Sequence, residues 1–445
     1  MSPAPRSADD RDGLAGRDGP NGSDGCAGSD GRDGSRRRTV DVLVVGGGPA
    51  GLAAAARLAA AGAGRVEVLE RERAAGGVPR HCGRGGFAGF TGPVFARRAV
   101  RAAVRAGAAL RTGVGATGWA GPLTLEVTAP TGPERITARA VVLATGARER
   151  PRSARLVPGA RPAGVLSTGE LQQSVELFGL RGERIGRRAV VVGSDPVARH
   201  AARTLRGAGV TVVATVADRP YGPCLGGGPV LRGATVVELV GRGRLSGVVA
   251  RGADGRTGLL RCDTVVFTGD WLPDHEVARS GGVPLDPGTR GPSVDPGLRT
   301  LVPGVFAAGN LLRGVEPAGV AAAEGRLVAD AVLGHLAGAP WPGPGLFLRA
   351  EGALHHLSPG RLAAAPSAGP APTLLLRPAQ RLVSPVLTVH QDDRVLYEHR
   401  VQALLEPHRS LRHPAHWSTT ADPTGGLVRI RLSGGAGAWP GPGPA

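Results

Sequence analysis

The chain contains no lysine. Its 54 basic residues are all arginine, set against 36 acidic ones, for a formal charge of +18. Such a charge raises the question of nucleic acid. But the arginines are scattered, with only Arg36–Arg38 forming a run, and at 3% of the chain the aromatics are too few to build a stacking platform. No nucleic-acid partner is expected. Alanine, glycine, proline and arginine are inflated together, a pattern of GC-rich coding. Cysteine is scarce too: Cys26, Cys82, Cys224 and Cys262, with no C-x-x-C spacing. That excludes a zinc site, an iron–sulfur cluster and a local redox disulfide, so no metal is expected. No apolar run reaches the length of a membrane span, about 18 residues or more, and no signal-peptide core follows Met1. The expectation is a cytoplasmic protein with free thiols.

What is present is organised from residue 39 onward. Residues 1–38 are poor in apolar side chains, and glycine recurs at every third position from Gly13 to Gly34. That is a collagen-like period, but it is short and holds one proline, Pro20; it is read as a disordered tail that cannot offset its ordering entropy. An apolar strand at 40–45 then leads through a glycine turn into an Ala/Leu-rich helix at 49–61 and a strand at 65–70. The same strand–turn–helix–strand unit returns at 188–192, 196–207 and 210–216. Three further strands, at 140–143, 264–267 and 304–307, each run into a small-residue turn, as strands do where a ligand sits at their carboxyl ends. From about 341 the texture becomes short β runs, with Asp392-Asp393 as a hairpin turn.

Gly46-Gly47-Gly48-Pro49-Ala50-Gly51 fits G-x-G-x-x-G between a strand and a helix, with Glu70 at the end of the next strand, 22 residues beyond Gly48. Gly46 permits the tight turn, Gly48 leaves room for a pyrophosphate, and Gly51 allows close packing of helix and strand. The helix amino end offers unpaired N–H groups and partial positive charge to the phosphates. Glu70 is placed to accept from a ribose 2′-OH and would repel the 2′-phosphate of NADP.

Glycines alone do not separate FAD from NAD. The stretch 44–52, then Val68-Leu69-Glu70-Arg71 and Gly76-Gly77, resembles the FAD module of the pyridine-nucleotide-disulfide-oxidoreductase superfamily. Ala144-Thr145-Gly146, continuing to Pro151, is similar to its middle FAD segment, and Val305 to Asn310 to its last. Most relatives end that last segment Gly-Asp; here Gly309 is followed by Asn310, which can still hydrogen-bond ribityl hydroxyls. Gly76 to Gly83 and Trp271 to Glu276 look like the group of flavin subunits of opine oxidases, hydrogen-cyanide synthase and amine or amino-acid dehydrogenases. The resemblance implies an α/β fold of two Rossmann-like dinucleotide-binding domains. One is an FAD domain built from 39–152 and 264–340; a nucleotide-like domain, 153–263, is inserted into it, and a small C-terminal β domain follows at 345–433. It implies FAD as cofactor, and hydride transfer from an amine, amino acid or hydroxy acid to the flavin. It also admits a partner oxidoreductase subunit, an NAD(P)H-dependent flavin reductase, or a non-catalytic flavin-bearing scaffold.

The second half departs from the family pattern. In Val192-Gly193-Ser194-Asp195-Pro196-Val197-Ala198 the second glycine is Asp195 and the third Ala198. A carboxylate facing a pyrophosphate costs about 1 to 4 kcal/mol at 4 Å, which argues against NAD(P). The alternative is that Asp195 caps the helix Pro196 opens, with NAD in a shifted pose. Disulfide reductases of the superfamily place paired cysteines beside the flavin; here Cys82 stands alone after His81. Both are expected to line the flavin pocket, as catalytic candidates or as packing. Cys224 and Cys262 are read as structural. Glu316 is read as a cap for a helix at 318–333 or a substrate-side acid, and Trp271 and Asp274 as facing the cofactor or packing between domains.

Overall fold

The computed structural model describes residues 36–83, 87, 89–218, 228–314, 316–363 and 371–434. The glycine-repeat tail, Cys26, Cys224 and the stretch after 434 lie outside the described residues. The first strand, Arg36–Val45, begins ahead of the expected boundary, because Arg36, Arg37 and Arg38 continue the parallel ladder onto Glu134, Arg135 and Ile136.

The first sheet has seven strands. Ala109–Thr112, Val66–Glu70, Arg36–Val45 and Gly132–Leu143 run parallel in that spatial order, and Val305–Ala307 adds to the last of them. An antiparallel pair, Thr124–Ala129 and Gly115–Gly121, closes the edge. The central strands are fully buried β-branched runs, as a sheet covered on both faces requires. Helix α1 (Pro49–Ala60) buries Leu52, Ala54, Ala55 and Leu58; α2 (Gly92–Arg105) packs beside it. Register places Val45 opposite Leu143, and Leu143 opposite Ala307, so three strands end at one level.

A buried ion cluster lies between these strands. Arg111 donates to Glu67 at 3.0 Å and to Glu134 at 2.8 Å, and Arg38 donates to Glu67 at 2.9 Å. Charges this deep persist only when paired.

The second sheet is all parallel: Val230–Arg232, Thr211–Ala217, Arg188–Val192, Thr264–Phe267 and Val165–Ser167. Thr264–Phe267 was expected in the first sheet. It lies here instead, paired with Arg188–Val192, because Val265 and Phe267 complete the core around Val190 and Val266 joins the one around Val191. Cys262 is buried in that core, as expected of a structural thiol. Helix α3 (Thr168–Glu176) opens on a capping box: Glu170 N donates to Ser167 Oγ and Ser167 N to Glu170 Oε2. Helix α4 (Pro196–Gly207) follows the second turn. The chain leaves the first sheet through Ala147–Glu149 and returns through Trp271–Pro273, and these two crossings pair as an antiparallel ribbon. The short α5 (Glu276–Ser280) leads on, and α6 (Ala318–Leu336) packs across α1. Gly325 makes that approach close: a Cβ there would lie 2.1 Å from Ala50 O.

The C-terminal β sheets enclose a separate apolar core built from Leu346, Leu376, Val389, Trp417 and Ile430, among others. The expected hairpin is present, Val386–Gln391 with Arg394–Arg400, and Asp392 takes a left-handed φ of 50° at its turn. The whole is an α/β fold of two Rossmann-like units plus β sheets.

Candidate functional site

The three glycines of the first turn do different work. Gly46 has φ +112°, and a Cβ there would lie 2.3 Å from Ala144 O. At Gly51 a Cβ would lie 2.0 Å from Gly46 O, so this glycine lets the helix sit on its own turn. At Gly48 a Cβ would meet nothing within 4 Å: its face is open. Gly48 is also the N-cap of α1 and no side chain caps that helix. The amides that open α1 therefore have no side-chain cap, and the Gly48 face beside them is open, the chemistry a diphosphate requires.

Glu70 is buried at the end of Val66–Glu70. Its Oε2 accepts from Gly47 N at 3.0 Å and its Oε1 from Glu72 N at 2.8 Å, which fixes the carboxylate beside the turn. Arg71 reaches away to Asp274 Oδ2 at 2.9 Å. Asp274 also receives Arg148 at 3.0 Å, and Arg148 continues to Glu276 at 2.6 Å. Thr145 Oγ1 donates to the Asp274 carbonyl at 2.7 Å, and Asp274 N to the Gly146 carbonyl at 2.9 Å. The middle segment and the returning crossing thus brace each other. Desolvation pushes the Asp274 carboxyl up against the pull of Arg71 and Arg148.

One cavity of about 1160 Å³ runs along these groups. It exceeds the range of about 300–1,000 Å³ usual for small-molecule pockets, as an extended dinucleotide plus substrate would need. Of the expected cofactor-binding residues, all but Gly51 and Gly309 line it. Gly309 is instead a packing glycine (φ +76°): a Cβ there would lie 2.7 Å from Ala50 Cβ, and its N–H donates to Glu324 Oε2 at 2.9 Å.

His81 and Cys82 both line the cavity. Burial lowers the His81 imidazole to about 4, with Arg80 adding to the shift, so the ring is neutral at physiological pH. Burial, with Glu176 and Glu149 nearby, pushes the Cys82 thiol up to about 12. Its Sγ lies 3.4 Å from both Val78 O and Gln172 Oε1. A neutral thiol is a poor nucleophile, and an imidazole of such low basicity is a weak general base. Ionisation thus works against both as proton carriers, although both lie in the cavity wall.

Asn310 wraps a backbone unit: its Oδ1 accepts from Glu316 N at 3.0 Å and its Nδ2 donates to Glu316 O at 3.3 Å. Glu316 does not cap α6, whose N-cap is Pro317 with no side-chain bond. Its Oε1 is taken by Arg377 at 2.6 Å and Ser410 at 2.6 Å, from the C-terminal sheets, which outbid the helix end. The α6 amino terminus is therefore uncapped, and Pro317, Ala318 and Ala321 line the cavity.

The second turn has the opposite character. Asp195 is the N-cap of α4 and accepts from Ala198 N at 2.8 Å. The helix end that could greet a phosphate is satisfied by its own carboxylate. Burial raises that carboxyl, while the Ala198 and Val197 amides, His408 and Arg199 draw it back.

Sequence reasoning passed over several cavity residues: Glu149, Thr168 and Gln172 around the outgoing crossing and α3, and His408 from a turn between C-terminal strands. Glu149 stood inside a quoted motif, but nothing in its spacing marked it. His408 sits some 360 residues from the first turn, roughly the span between Gly48 and itself.

Residues 40–226 match the family profile described as pyridine nucleotide-disulphide oxidoreductase. Among solved structures, the chain is similar to T. acidophilum thioredoxin reductase, at 25% identity and TM-score 0.57 over 67% of this chain and 99% of that one. It is similar to Lactococcus lactis thioredoxin reductase at 19% identity and TM-score 0.56, over 67% and 99% of the two chains. L-proline dehydrogenase from P. horikoshii matches at 21% identity and TM-score 0.55, over 68% of this chain and 56% of that one. No curated protein matches the sequence. The opine-oxidase-type subgroup is not among these findings. Residues 40–226, on a fold of two Rossmann-like units, are thus similar to the pyridine nucleotide-disulphide oxidoreductases.

Proposed function

We propose that the protein is an FAD-dependent dehydrogenase or oxidase acting on a C–N or C–O bond of an amine, amino acid or hydroxy acid, and not a disulfide reductase. The observation that carries this reading is the single cavity that joins the open Gly48 face and Glu70 to His81, Cys82 and Asn310. Gly48, Pro49 and Ala50 would hold the diphosphate, Glu70 and Arg71 the adenosine end, and Gly77, Thr145, Gly146 and Asn310 the remainder. Bound there, the flavin would supply the hydride acceptor. The chain's own part is to orient substrate and exclude water. The uncapped end of α6 would favour negative charge on the pyrimidine side. Burial keeps Cys82 a protonated thiol, and the sequence holds no C-x-x-C pair, which supports a reading without dithiol chemistry. The Asp195 cap supports an enzyme that does not use NAD(P). Reduced flavin would then be reoxidised by a partner subunit, a quinone or oxygen.

The test is the visible spectrum of the purified chain, followed by anaerobic titration with amines, amino acids and hydroxy acids. A flavin band that one of these classes bleaches supports the reading. A preparation that stays colourless after reconstitution with FAD sinks it.

A further inference from the structure

A buried polar atom without a partner costs free energy, and native folds keep few of them. Four such atoms belong to cavity-lining residues, Glu149 Oε1, Thr168 Oγ1, Trp271 Nε1 and His408 Nδ1, and of these residues Glu149 and Trp271 are paired across one ribbon. Glu149 and Trp271 stand directly opposite each other on the antiparallel ribbon that connects the two Rossmann-like units. Opposed residues project from the same side of such a ribbon, with Cβ atoms about 4.5–5.5 Å apart. Yet the indole N–H and the carboxylate oxygen do not satisfy each other.

The carboxylate is held in place by its other oxygen. Gly169 N donates to Glu149 Oε2 at 2.7 Å, and a Cβ on Gly169 would sit only 3.4 Å from that oxygen. Trp271 lies close against Gly314, where an added Cβ would be 2.7 Å from Trp271 Cβ. The ribbon therefore presents an anchored acceptor opposite a residue with an unpaired donor. An ionised carboxylate only accepts and an indole N–H only donates. Burial raises the Glu149 carboxyl, while the Gly169 amide, the Thr168 and Ser167 hydroxyls and Arg155 favour its ionised form. The Cys82 thiol responds to the charges of Glu149 and Glu176, so these groups share one end of the cavity.

The geometry points to a substrate subsite on this ribbon that takes the head group of an α-amino acid. The ammonium donates to Glu149 Oε1, and a carboxylate oxygen accepts from Trp271 Nε1. The inference rests on the flavin dehydrogenase reading and narrows it: a charge-assisted bond from an ammonium outweighs a neutral hydroxyl donating to the same oxygen, so amino acids are preferred to 2-hydroxy acids.

The full chain, loaded with FAD, is titrated anaerobically with the twenty common L-amino acids, their N-methyl derivatives and the matching 2-hydroxy acids. Amino acids are expected to bleach the flavin and hydroxy acids not to. E149Q keeps an oxygen for Gly169 N but loses the charge; for the responding amino acid its KM should rise roughly 10- to 100-fold, with flavin content and melting temperature unchanged. W271F should raise KM by roughly 5- to 10-fold and abolish the change in tryptophan fluorescence that accompanies binding to the wild type. A yellow protein silent to every amino acid, a preference for hydroxy acids, or an unchanged KM in both variants overturns the subsite while leaving the flavin reading intact. A protein that cannot be made yellow overturns both.

Discussion

Arg71 and Asp274 are 203 residues apart in the chain, and their side chains meet at 2.9 Å. Both line the cavity, Arg71 directly after the expected ribose-binding glutamate and Asp274 on the crossing that returns from the second sheet. On the proposed reading the pair bridges the cavity wall at the adenosine end. Arg71 is mostly exposed, so the bond itself stabilises the fold little, on the order of 0–1 kcal/mol. Its expected effect is on the ligand. D274N should leave the melting temperature of the FAD-free protein nearly unchanged and weaken FAD binding by roughly 5- to 20-fold, read by the recovery of flavin fluorescence on dilution. Equal retention of FAD by variant and wild type would remove the bridging role.

The glycine turn separates binding from folding. Gly48 faces open space, so G48V should fold with a near-native melt and fail to bind FAD. G51V drives a side chain into Gly46 O and should lose roughly 3 kcal/mol or more of stability. The two variants are compared by thermal melt and visible spectrum. A yellow G48V would show that the diphosphate lies elsewhere.

Asp195 makes the second turn self-satisfied. Rapid mixing of the flavin-loaded protein with NADH or NADPH should give no fast bleaching. D195A, which removes the cap, should cost about 0.5–2 kcal/mol in stability. Fast bleaching of the wild type would make the protein an NAD(P)H-dependent flavin reductase.

The Cys82 thiol, at about 12, stays protonated across the physiological range. Alkylation at Cys82 should be very slow near neutrality and accelerate as pH approaches that value, followed by peptide mass spectrometry. C82S should retain turnover. Rapid alkylation at pH 7 together with an inactive C82S would restore thiol chemistry to the site.

Two buried histidines set an acid limit. Burial holds His81 at about 4 and His356 at about 3, against an ordinary 6.5. Below 6.5 the unfolded chain takes up protons that the folded one refuses, so stability falls as pH drops, and levels off only below about 3 for His356. H356F should flatten this slope between pH 6.5 and about 3, by a few kcal/mol at its acid end. The measurement is denaturant unfolding across that range. An unchanged slope would show that His356 is solvated.

The local code of the first Rossmann-like unit was legible in the sequence. Backbone demands at Gly46, Gly48 and Gly51 are set within a turn, Ala-rich periodicity writes α1, and the apolar runs at 188–192 and 264–267 could be little other than buried strands. Even the C-terminal hairpin followed from Asp392. What failed was placement. Thr264–Phe267 reads the same in either sheet, because a short apolar strand carries no label of its neighbour; only pairing with Arg188–Val192 decided it.

The amino-acid sequence alone determined that a glycine turn, a helix and an acidic strand end would follow the first strand in a dinucleotide-binding order, since these are local features of the chain. Tertiary structure decided which groups share the cavity: Glu149 opposite Trp271, Arg71 on Asp274, and Glu316 turned from α6 to Arg377. Those outcomes depend on burial and on charges brought together from distant segments, and neither is encoded in spacing along the chain.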